Sequence, residues 1–178
     1  MWRFAPMADD YVLEWHSRDL DSTIIPREVA AVEEWKKTNL SFHVMRDNPV
    51  HGTSMLGGMF GILQNTDVRK ISRRDDFNKM IRGHSSMWDK GYDQSALTLV
   101  VAPHAENDTL AHDSYLCQST FISGSIIVPF PTQRLSGPNF TKPKSEAPNF
   151  VGNTGNYAID KVCPVACRPK NHSDWKLC

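Results

Sequence analysis

The chain has 178 residues and 20.1 kDa, with 20 basic and 20 acidic side chains that cancel to zero net charge. That length suits one core-bearing domain rather than two, and the charge balance leaves no basic tract to capture nucleic acid or a membrane surface. No apolar run approaches the roughly 20 residues of a spanning helix, and Met1-Trp2-Arg3-Phe4-Ala5-Pro6 lacks the apolar core of a signal peptide, so the chain reads as soluble.

In chain order, residues 10–18 read as a strand that ends in Ser17-Arg18-Asp19-Leu20-Asp21-Ser22-Thr23. Carboxylates at a strand end point into the crevice where open α/β folds bind ligands. In an extended segment Asp19 and Asp21 share a side, so their oxygens can converge on one hard divalent cation. The alternative is a solvated acidic turn that caps the next helix. That helix is expected over 26–37, with Pro26 in its first turn, Lys36 and Lys37 at its end, and Val29, Val32 and Trp35 as its core face.

Phe42 to Asp47 forms a short strand stopped by Asn48-Pro49. In Met55-Leu56-Gly57-Gly58-Met59-Phe60-Gly61-Ile62-Leu63 the glycines mark close approach of backbone to a neighbour or to a ligand. Residues 73–82 are helical, 83–91 are a loop with Trp88 and Asp89, and a second helix starts at Tyr92-Asp93-Gln94-Ser95, with Asp93 as its cap, and stops at Pro103. Leu110 to Cys117 is a strand or turn. From Phe130 the prolines multiply, and two segments follow: a core over 1–128 and an irregular, cysteine-containing segment over 129–178 packed on it.

Cys117, Cys163, Cys167 and Cys178 match none of the common zinc spacings, and one or two disulfides pinning the tail are favoured over a zinc site with His172. Four tripeptides, at Asn39, Asn107, Asn139 and Asn171, read as N-glycosylation acceptors. Both features lean toward a secretory product, in the Golgi lumen or secreted, over a cytoplasmic one.

Taken together, the acidic motif Arg18-Asp19-Leu20-Asp21-Ser22, the segment Leu56-Gly57-Gly58-Met59-Phe60-Gly61, the helix start Tyr92-Asp93-Gln94-Ser95-Ala96-Leu97 and His112 resemble a metal-dependent nucleotide-sugar glycosyltransferase of the GT-A fold. More narrowly, the chain resembles a group that also carries His43-Val44-Met45-Arg46-Asp47 and His112-Asp113-Ser114-Tyr115. The likeness spans about residues 2–155. It implies an α/β fold with a mixed sheet and flanking helices. In that fold several strand–helix units precede the acidic motif, whereas here fewer than twenty residues do, so the N-terminal part is expected to be missing.

The resemblance further implies that Asp19, Asp21 and His112 hold Mn²⁺ or Mg²⁺, that Arg18 pairs with the donor diphosphate, and that Gly57 and Gly58 face the acceptor. Asp93 and Gln94 would lie near the anomeric carbon, with Asp93 orienting the acceptor hydroxyl, acting as its base, or stabilising an oxocarbenium-like state. Gln133 and Arg134 are candidates for a loop that closes over the donor. The partners would be a nucleotide-sugar donor and a glycan or other hydroxyl acceptor.

Two rivals remain. Asp19-Leu20-Asp21-Ser22-Thr23 also fits the nucleophile motif of haloacid-dehalogenase-like phosphatases, which would need a late acidic pair such as Asp75-Asp76. A non-catalytic, glycosyltransferase-like binding remnant is the other. His43, His51 and His104 are read as surface or structural histidines rather than ligands.

Overall fold

A computed structural model of the chain describes residues 2–64, 69–83, 91–134, 150–154, 159 and 161–178, without the side chains of 69–72. Trp88, Asp89 and Asn139 lie outside the described residues. Five strands form one mixed sheet: β1 (Glu14–Arg18), β2 (Phe42–Arg46), β3 (Met59–Leu63), β4 (Thr109–Asp113) and β5 (Ile126–Val128), in the order β1-β3-β2-β4-β5. β3 runs antiparallel to both β1 and β2, whereas β2, β4 and β5 are mutually parallel. β1, β2, β4 and β5 therefore all end at the same edge, and β3 begins there.

The α-helices among the described residues are α1 (Pro26–Trp35), α2 (Arg69–Gly83) and α3 (Tyr92–Ala96). One face of the sheet presents Phe42, Val44, Phe60, Ile62 and Ala111. It is covered by Phe4 and Met7 of a 3₁₀ segment (Trp2–Ala8), by Phe77 and Met80 of α2, and by Leu97 and Val101. Those last two belong to a π-helical stretch (Leu97–Val101) that continues α3, followed by a 3₁₀ turn (Ala102–Ala105). The opposite face carries Met45 and Met59 beneath Ile25, Ala31, Phe130 and Val151. Helices on both faces, burying alternate residues of each strand, make this an α/β fold.

Every residue of β2 and of β4 is buried, as befits inner strands covered on both faces. This is why β2 shows less polar alternation than an exposed strand. Gly61 has a packing reason: a Cβ there would stand 2.9 Å from His16 Nδ1 and 3.2 Å from the Trp35 ring, which lies across that face. Trp35 stacks on His43 with ring centroids 5.0 Å apart.

Several expectations shift. β1 begins at Glu14 rather than at 10. The buried face of α1 is Arg27, Glu28, Ala31 and Trp35, not Val29, Val32 and Trp35, and Val29 is exposed. The helix turns a charged stripe inward because buried partners await it: Asp47 for Arg27 and Arg18 for Glu28. Gly91, with φ 86°, takes the cap position of α3, and Asp93 sits in its first turn. β5 gave no distinct sequence signal. The described part of the C-terminal segment is irregular apart from short 3₁₀ turns, and the bonds Cys117–Cys167 and Cys163–Cys178 staple it. Such bonds suit an oxidising compartment. No helix among the described residues is long and apolar enough to cross a membrane.

Candidate functional site

At the shared strand-end edge, four separate stretches of chain meet. Asp19 follows directly on β1, Gly57 and Gly58 lead into β3, Asp93 and Gln94 open α3, and Arg3 projects from the first 3₁₀ segment. Arg3 NH1 donates to Asp19 Oδ1 at 2.8 Å, while its NH2 lies 3.2 Å from Asp93 Oδ2. One guanidinium thus bridges the two carboxylates. These side chains are between 32% and 46% exposed, so the patch is open to solvent.

The glycine pair is shaped by its neighbours. Gln94 Oε1 accepts the Gly57 N–H at 3.0 Å, and Gln94 Nε2 donates to the Met55 carbonyl. Ser17 Oγ donates to the Gly57 carbonyl, and Arg18 NH1 donates to the Gly58 carbonyl at 3.0 Å. A Cβ at Gly58 would stand 2.3 Å from Asp19 Oδ2, inside van der Waals contact. The absent side chain is what leaves the Asp19 carboxylate its place.

The sequence-identified residues divide into three groups. Asp19, Gly57, Gly58, Asp93 and Gln94 converge, and Asp21 lies exposed on the turn just after Asp19. Both faces of the Gln94 amide are committed to backbone, which makes it a positioning residue for the glycine segment. Arg18 is already engaged: besides the Gly58 carbonyl, its guanidinium pairs with Glu28 at 2.8 Å and donates to Ser22 Oγ at 3.2 Å. Burial raises the Glu28 carboxyl above its usual range, against the pull of Arg18.

His112 does not join Asp19 and Asp21. It sits on β4, three strands from β1, a separation of roughly 14 Å at about 4.8 Å per strand. Its Nε2 lies 3.2 Å from Glu34 Oε2 and its Nδ1 2.8 Å from His43 Nε2. A carboxylate only accepts, so His112 donates through Nε2 and its Nδ1 accepts from His43. Burial lowers the pKa of both rings, that of His43 strongly.

A second, closed cluster occupies the same edge. Asp47, following β2, is fully buried and accepts five hydrogen bonds through its two oxygens. Oδ1 takes Arg27 NH2 (3.0 Å), Ser114 Oγ (2.6 Å) and Arg134 NH2 (2.6 Å). Oδ2 takes Arg27 Nε (2.8 Å) and the Val151 N–H (2.9 Å). Burial alone would raise this carboxyl, but Arg27 and Arg134 outweigh it and hold it below the usual range. Arg134 is therefore an interior residue, not part of a loop closing over a donor.

The paired motifs on β2 and β4 explain each other. His43 bonds His112, Arg46 Nε donates to Asp113 Oδ2 at 2.7 Å, and Asp47 receives Ser114. The parallel register that sets Arg46 beside Asp113 brings the two motifs into this sequence of contacts. Their chemistry is structural, and it was not legible before the strands were known to be neighbours.

Arg3 was missed as well. The spacing of Phe4 and Met7, both buried, hints that residues 2–8 pack on the core, but nothing in it says which edge the intervening cation reaches. Asp76, half of the acidic pair that a phosphatase would need, bonds His104 at 3.1 Å and Lys79 at 3.4 Å, beside a cavity of about 550 Å³. Among the described residues the pair shares no hydrogen bond or ion pair with Asp19 or Asp21.

No described cluster of three or more His, Cys, Asp and Glu side chains is arranged to hold a metal ion. The donor chemistry of the patch nonetheless suits one: Asp19 and Asp21 offer hard oxygen ligands, and the bare Gly58 backbone leaves Asp19 Oδ2 its place while Arg3 holds Oδ1. No protein-family model, curated protein or solved structure matches the chain.

Proposed function

We propose that the chain is a metal-dependent glycosyltransferase of the GT-A type, moving a sugar from a nucleoside-diphosphate sugar to a hydroxyl acceptor. The observation that supports this reading is the meeting of Asp19, Gly58 and Asp93 on one open patch at the strand-end edge, where α/β sheets bind ligands.

Asp19 and Asp21 would hold Mn²⁺ or Mg²⁺. Two carboxylates complemented by phosphate and water oxygens are a usual shell for Mg²⁺. Bound there, the ion supplies Lewis-acid neutralisation of the charge that grows on the departing diphosphate. Asp93, whose carboxylate lies across Arg3 from Asp19, orients the acceptor hydroxyl and takes its proton. Gln94 and Ser17 fix the Gly57–Gly58 backbone, so the floor under donor and acceptor is rigid before either arrives. The two disulfides and the exposed Asn39, Asn107 and Asn171, each the first residue of an acceptor tripeptide, support a place in the secretory pathway.

Calorimetric titration of UDP and GDP, with and without Mn²⁺, tests the reading. One of the two nucleotides is expected to bind only with Mn²⁺, and Asp21→Ala to weaken that binding at least about tenfold. A cooperatively folded chain that binds neither nucleotide contradicts it.

A further inference from the structure

Arg3 lies between the two carboxylates of the candidate site. Its guanidinium contacts both Asp19 and Asp93, and its third contact is the Gly57 carbonyl at 3.4 Å. Among the described residues, all of its polar partners thus belong to the candidate site. Its backbone is anchored: Phe4 and Met7 are buried on either side of the turn, and Gln64 Nε2 donates to the carbonyls of Pro6 (3.2 Å) and Met7 (3.0 Å). The side chain itself is 41% exposed, so its head can re-aim without moving the segment that carries it. Arg18, the sequence's candidate for the diphosphate, is only 14% exposed and already held by Glu28, Ser22 and the Gly58 carbonyl.

We propose that Arg3 is the exchangeable counter-cation of this site. It holds Asp19 and Asp93 in the ligand-free chain, yields Asp19 to a divalent cation, and then pairs through its planar fork with the diphosphate of the nucleotide. This rests on the site reading given above. Two cations cannot both neutralise one carboxylate at full strength, so Arg3 and the divalent ion compete for Asp19. A guanidinium released beside a diphosphate finds the oxyanion geometry it fits best.

The two halves of the proposal carry opposite signs, which makes them separable from a merely structural role. Mn²⁺ binding is measured without nucleotide, from the electron paramagnetic resonance signal of the free ion, and UDP and GDP binding is then measured by calorimetry at saturating Mn²⁺. Arg3→Ala is expected to bind Mn²⁺ about threefold more tightly than wild type, because an exposed competing ion pair is gone. The same variant is expected to bind the nucleotide about tenfold more weakly, having lost charge-assisted bonds to phosphate. Should Arg3→Ala melt below wild type, Arg3→Gln is read in its place, with the same signs expected.

Wild type and variant with equal Mn²⁺ affinity, or with equal nucleotide affinity, overturn the inference while leaving the site reading standing. Absence of Mn²⁺ binding without nucleotide in both proteins overturns this inference, and absence of Mn²⁺-dependent nucleotide binding overturns the site reading as well.

Discussion

Asp19 leaves β1 and Asp47 leaves β2 at the same edge of one sheet, yet the two carboxylates live in different worlds. Asp47 is fully buried and receives five hydrogen bonds from Arg27, Arg134, Ser114 and the Val151 N–H. Every lone pair is taken, and α1 and the chain after β5 are locked to β2 and β4 through it. Asp19 is 46% exposed, meets one guanidinium, and faces a glycine where a side chain would have collided with it. A saturated carboxylate binds the protein together, and one that meets a single guanidinium beside a glycine keeps acceptor capacity to spare. Position at the strand ends does not separate them; the number of partners does.

The difference can be pressed hardest at Asp47. Asp47→Asn leaves Arg27 and Arg134 buried without their counter-charge, which costs about 3–5 kcal/mol. For a chain of this size that lowers Tm by roughly 6–20 °C, read by circular dichroism or calorimetry. A loss under about 1 kcal/mol would mean that the cluster is not the strut described above.

Acid should loosen the interior next. Burial lowers the His51 pKa to about 4, against the opposing pull of Asp47 and Asp113, and His43 and His112 are lowered in the same direction. As pH falls through the ordinary histidine value near 6.5, the unfolded chain takes up the protons first. Stability is therefore full above about pH 6.5, declines toward pH 4, and loses roughly 3 kcal/mol from His51 alone. Denaturant titrations at pH 7.5 and 4.5 measure it, and equal midpoints would contradict the buried, neutral state of these rings. Asp47, held below its usual range by Arg27 and Arg134, adds a further loss only below about pH 4.

Gly58→Ala has the smallest expected effect on the fold. The new methyl meets the far end of a half-exposed side chain, so Asp19 can swing aside for less than about 1 kcal/mol. Its effect should appear in Mn²⁺-dependent nucleotide binding, weakened at least about fivefold. Unchanged affinity would detach Gly58 from the role assigned to it.

What could be read in the sequence divides along the same line. Asp19, the glycine pair, Asp93 and Gln94 were legible as residue types beside a strand end or a helix start, and the fold brings them to one patch. Partnership across the sheet was not legible. His112 was expected as a third ligand through the family resemblance, but the strand order places it three strands from Asp19, bonded to His43 and Glu34. Arg18 was assigned to the diphosphate through the family resemblance, yet the inward turn of Glu28 on α1 captures it. Arg3 carried no motif. Local pattern reports which chemistry a segment can offer, and strand neighbours decide which of it stays free.

A parallel comparison of Asp19→Asn and Asp47→Asn tests the central claim most directly, with Tm and Mn²⁺-dependent UDP and GDP binding recorded for both. Asp19→Asn should keep the wild-type Tm within about 2 °C and lose metal-dependent binding, while Asp47→Asn should lose Tm as calculated above. An Asp19→Asn protein that binds the nucleotide as wild type does, or that melts as low as Asp47→Asn, would contradict the division of this edge into a ligand site and a strut.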